Sequence, residues 1–101
     1  MNTDELISHG RARFEHAAAK RLLKEKYQGK LTFAFGGGMW RADPNTIVYL
    51  QLCDLDEVVL LDLYENPIKV DVHGLLIEMR QRWQEQMNAW LVEYEQLNKN
   101  R

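Results

Sequence analysis

A chain of 101 residues with 46% apolar and 28% charged side chains is the size of one domain and can bury a core without disulfides or metals. A single cysteine, Cys53, excludes an internal disulfide. No apolar run approaches the ~20 residues of a membrane span, and the opening MNTDELISHG lacks the pattern of a signal peptide, so a reducing, cytoplasmic setting is expected.

The net charge of −2 divides unevenly: eight Lys/Arg against five Asp/Glu in residues 1–50, five against ten in residues 51–101. Halves of opposite sign are suited to packing on each other or on a second copy.

In chain order, Thr3 is a helix-capping residue, and Asp4 and Glu5 follow where the helix dipole favours acids. From Leu6 to about Gln28 the pattern is helical, with Ile7, Phe14, Ala18 and Leu22 on one side. Lys24, Lys26 and Lys30 load its last turn, and Gly29 is the expected stop. Leu31 to Phe35 reads as a strand. Gly36, Gly37 and Gly38 lack the lysine and hydroxyl of a phosphate loop, and they fail the dinucleotide fingerprint. They predict a flexible turn or bulge, with Met39, Trp40 and Arg41 extending a bent second strand.

Asp43-Pro44 starts a short helix running to about Cys53 and burying Ile47, Val48, Leu50 and Leu52. Asp54 to Glu57 is an acidic connector without the glycine and terminal glutamate of a calcium loop. Val58 to Leu63 and Ile68 to Val70, joined by Tyr64-Glu65-Asn66-Pro67, predict a β-hairpin, and Asp62 predicts that one face meets water. Asp71 then caps a helix of about 27 residues, about 40 Å long at 1.5 Å per residue. Leu76, Trp83, Trp90 and Leu97 recur along it every seven positions, flanked by Met79, Met87, Tyr94, Ile77 and Leu91.

The predicted class is α+β. Two long antiparallel helices accompany a short central helix and a small antiparallel sheet that includes a β-hairpin. The alanine-rich first helix is expected to cover Trp83 and Trp90 with Phe14, Ala18 and Leu22.

The residues that carry chemistry are poorly placed for it. Ser8 is the only serine, and its neighbour His9 points to a different side of the helix. His9 and His16 are about 10.5 Å apart along the axis, too far for one metal. Glu78 and Glu85 have no Glu-x-x-His companion, and Cys53 reads as a small core residue. The expectation is a non-enzyme with no cofactor and no metal.

The stripe Met79, Trp83, Met87, Trp90, Leu91 and Tyr94 is wider than one alanine-rich helix covers, and its residue types are those of interface cores. It predicts a homo-oligomer or a protein partner. The alternative is a nucleic-acid-binding module using Arg11, Arg13, Lys20, Arg21, Lys24 and Lys26, with Tyr27 and Trp40 nearby. The net acidity and the acidic last helix weigh against it.

The segments ARFEHAAAKRLLKEKY (Ala12–Tyr27), FGGGMWRADPNTIVYL (Phe35–Leu50), VVLLDLYENPIKV and MNAWLVEYEQLNKNR together resemble small uncharacterised proteins of T4-like tailed bacteriophages. The resemblance spans most of the chain and brings no catalytic motif. It implies a phage origin and an accessory, assembly or virion role, in the host cytoplasm or the virion. Prefoldin, with two long helices flanking β-hairpins, is similar in architecture alone.

Overall fold

The computed structural model describes residues 3–99. The chain runs through α1 (Thr3–Lys30), β1 (Thr32–Phe35), β2 (Gly38–Arg41), α2 (Pro44–Leu52), β3 (Glu57–Leu61), β4 (Pro67–Asp71) and α3 (Val72–Lys99). The fold is α+β, with β1–β2 and β3–β4 forming two separate two-stranded antiparallel sheets. These hairpins and α2 gather around the first half of α3 as a head, and α1 runs back along its second half.

The glycine run, expected to form a flexible turn or bulge, is a turn, and it closes a tight hairpin. Phe35 pairs with Gly38, leaving Gly36 and Gly37 as a two-residue loop. Their φ angles of +59° and +87° are those of the turn whose twist matches the strands it joins. Gly38 has a different reason to be glycine. A Cβ there would meet Ile68, Trp40 and Asp62 atoms at 3.2 to 3.3 Å, because the two hairpins touch at this point.

Asp62 fastens that contact. The sequence predicts it on a wet face, yet it is buried. Burial is tolerated because its carboxylate accepts three backbone N–H bonds, from Met39 at 3.1 Å and from Tyr64 and Asn66 at 3.0 Å each. The first donor lies in the other hairpin, and Leu63 N donates to Met39 O beside it at 2.8 Å. These donors, Asn66 foremost, hold the Asp62 carboxyl below the usual carboxylate range against the opposing effect of burial.

Asp43 caps α2 as expected, its carboxylate accepting from Asn45 N at 2.8 Å, with Pro44 at the first helical position. Of the four residues expected to be buried in α2, only Leu50 is fully so; Ile47 is half-buried, while Val48 is 50% and Leu52 80% exposed. The reason is geometric. Ile47 and Leu50 stand three apart on one side of a nine-residue helix, and Val48 and Leu52 stand four apart on the other.

The core comprises Leu31, Phe33, Trp40, Ala42, Leu50, Val70, Val72, Leu75 and Met79. Asp71 caps α3, its Oδ2 accepting from Gly74 N at 2.9 Å. A Cβ on Gly74 would sit 2.7 Å from that oxygen and 3.0 Å from Phe35 Cζ, so a larger residue there would require both side chains to shift.

α1 continues through Gly29, the expected stop, and ends at Lys30. Thr32 Oγ1 donates to Gly29 O at 2.6 Å and Leu31 N to Gln28 O at 3.3 Å, satisfying carbonyls of the last turn. The long helices pack antiparallel, with Tyr27 against Trp90. Only Leu91–Lys99 of described α3 extends beyond that contact, so α1 upstream of His16 projects past the pair.

Residues 3–15 are exposed throughout. The expected packing of Phe14 and Leu22 under the tryptophans is therefore overturned: they are 72% and 63% exposed. Phe14 lies beyond the reach of α3. Leu22 is turned aside because Leu23 and Tyr27, four apart, take the side that faces α3.

Leu75 and Met79 are 0% and 1% exposed, so truncating either to alanine should cost ~2–5 kcal/mol in denaturant unfolding. Leu52→Ala should stay within ~0.5 kcal/mol. Because the native pKa of Asp62 is depressed, its contribution is present above the unfolded value of ~3.9 and is lost as pH falls through the native one. Asp62→Ala should lower the melting temperature at neutral pH and flatten the acid limb of the stability profile.

Candidate interaction groove between the long helices

One small cluster ties α1 to α3. The Tyr27 and Trp90 rings stack with centroids 6.0 Å apart and planes 8° from parallel. Tyr27 hydroxyl donates to Glu93 Oε1 at 2.8 Å, and Lys26 Nζ donates to the same oxygen at 2.6 Å. The Lys26 bond, then the Tyr27 bond, lower the Glu93 pKa. Glu93 in turn raises the pKa of Lys26 and of the Tyr27 hydroxyl. Lys26 and Lys30 ammonium groups also lie 5.2 and 5.3 Å from the Tyr27 ring centre.

A groove of about 660 Å³ lies between the helices beside this cluster. Met87, Trp90, Leu91 and Tyr94 form its apolar floor with Ala17, and Lys20, Arg21 and Lys24 form a basic rim. Lys20 Nζ stands 6.0 Å from the Tyr94 ring centre. The alanine leaves the groove open, since a larger side chain at that turn of α1 would fill it. A second groove, of about 560 Å³, lies on the other side and is lined by Leu22, Leu23, Gln96 and Leu97 along with Lys26 and Glu93.

The predicted interface stripe divides along α3. Met79 is 1% exposed and belongs to the core. Trp83 and Met87 are half-buried and pack against it. Trp90 and Tyr94 are half-buried in the groove, and Leu91 is 53% exposed there.

The predicted basic set divides too. Lys20, Arg21 and Lys24 line the groove, Lys26 is paired with Glu93 on the other side, and Arg11 and Arg13 stand exposed on the projecting part of α1. Glu78 pairs with Arg82 one turn along its own helix at 3.7 Å.

A surface of the head was missed. Val48, Tyr49, Leu52, Val59, Leu61 and Tyr64 are each at least 50% exposed. Tyr49 and Leu61 line a concavity of about 430 Å³ with Thr46 and Leu63. Its signal was in VVLLDL: a strand apolar at both alternations puts Val59 and Leu61 outside when Val58 and Leu60 turn inward.

Among the described residues no group of three His, Cys, Asp or Glu is placed to hold a metal, and no helix is long and apolar enough to cross a membrane. Compared with known proteins, the chain matches no family model, no curated protein and no solved structure.

Trp90→Ala should cost ~0.5–3 kcal/mol, the usual span for one substitution, rather than the ~3–5 of a fully buried aromatic. It should release α1, so hydrogen exchange should quicken across α1 and stay slow in the four strands.

Proposed function

We propose that this chain is a non-enzymatic interaction protein, an accessory or assembly factor of a tailed phage, acting through the apolar face of α3. The observation that carries this reading is the groove in which Met87, Trp90, Leu91 and Tyr94 lie beneath Lys20, Arg21 and Lys24. An apolar floor with a basic rim suits an amphipathic helix that brings its own apolar stripe and flanking acids. The partner is then a protein with an acidic helix or a further copy of the chain, in the host cytoplasm or the virion.

A nucleic acid strand is the second reading, favoured by two aromatic rings and three cations lining one groove. Bases would stack on the rings and phosphates would follow the rim.

Two probes separate them: a labelled helical peptide with leucines every three to four positions and flanking glutamates, and a thymine oligonucleotide. The peptide should bind wild type and be lost with Leu91→Glu. Binding of the oligonucleotide instead, weakening steeply with salt and flattened by Lys20, Arg21 and Lys24→Gln, would transfer the function to nucleic acid. If neither binds, the groove is not the functional surface.

A further inference from the structure

The projecting part of α1 carries apolar residues that nothing in the described chain covers. Leu6 is 59%, Ile7 55% and Phe14 72% exposed, and Leu22 continues the stripe at 63%. Gly10 stands within it, in the interior of a helix, where glycine weakens the structure by ~1 kcal/mol relative to alanine. No atom among the described residues explains that choice, since a Cβ at Gly10 would meet none of them within 4 Å.

Charge indicates what covers the stripe. The first turn of α1 holds Asp4 and Glu5, and its second half holds Lys20, Arg21, Lys24, Lys26 and Lys30 against Glu25 alone. A parallel second α1 would set like charges side by side. An antiparallel one sets the acidic end of each helix over the basic half of the other.

We propose that α1 pairs antiparallel with α1 of a second copy, with Phe14 on the twofold axis, on the side of α1 turned away from α3, where Arg21 and Leu22, which also line the grooves, stand at its end. In that register each residue i stands opposite residue 28 − i. Gly10 then faces Ala18 of the second copy, and both residues are small enough for the helix axes to approach closely. Ile7 reaches the turn that carries Leu22, and Arg11 lies within one turn of Glu15, each contact being made twice. Gly10 is thereby accounted for: the space above it belongs to the partner. The shared stretch from Thr3 to Glu25 is about 34 Å long at 1.5 Å per residue, which places the contact at the small end of specific interfaces.

Sedimentation equilibrium of the full chain should show a reversible dimer. Phe14→Glu should weaken it by ~30-fold or more, the effect of losing an interface anchor. Gly10→Leu should raise the melting temperature of the dilute monomer, as a better helix former, and yet abolish the dimer. Arg11→Glu and Glu15→Arg should each weaken association, and the two together should restore it. In a Cys53→Ser background, Phe14→Cys should form a disulfide-linked dimer on oxidation, with circular dichroism confirming the fold of every variant. A wild-type monomer at all concentrations overturns the proposal. So does a dimer that survives Phe14→Glu; if that dimer is lost with Leu91→Glu, association belongs to the groove and the proposed function stands without this pairing.

Discussion

Everything in this molecule is hung on α3, and α3 can serve because the two halves of one long stripe are buried against different things. Its first two turns place Val72, Leu75 and Met79 in the core, where the hairpins and α2 exclude water from them. Its later turns carry Trp90, Glu93 and Tyr94 to α1. A helix of 28 residues is far longer than the head requires. The surplus is what supports α1 and opens the grooves along it.

The two ends are held by different physics. In the head, close-packed apolar side chains and the Asp62 carboxylate lock two hairpins that would each be marginal alone. Along the helix pair the attachment is a stacked aromatic pair and a three-membered polar cluster that is half exposed. Surface ion pairs of this kind contribute little. The α1 packing therefore depends chiefly on Tyr27 and Trp90, and the apolar floor beside them is open to an incoming side chain.

Local chemistry made several elements legible. Asp43-Pro44 and Asp71 signalled helix starts because a capping carboxylate acts within three residues, and the turn containing Asn66 and Pro67 signalled a hairpin for the same reason. What failed was facing. Ile7, Phe14, Ala18 and Leu22 do form a stripe, but periodicity does not say which of two stripes on a helix meets the neighbour, and Leu23 and Tyr27 took that place. Asp62 was misjudged because one of its three donors is Met39, 23 positions away in the other hairpin, a partner that no local window contains. In the groove, Trp90, Tyr94 and Lys20 were each singled out in the sequence under competing functions. Only the antiparallel packing brought them to one place.

The molecule measures 65 × 24 × 20 Å, with a radius of gyration of 19.3 Å. A compact chain of this length has a radius near ~13 Å. Such a rod meets more friction than a sphere of the same mass. It diffuses slowly and leaves a gel-filtration column early, with the apparent size of a larger globule. Retention alone would thus mistake one extended chain for an assembly, and mass must be taken from methods indifferent to shape.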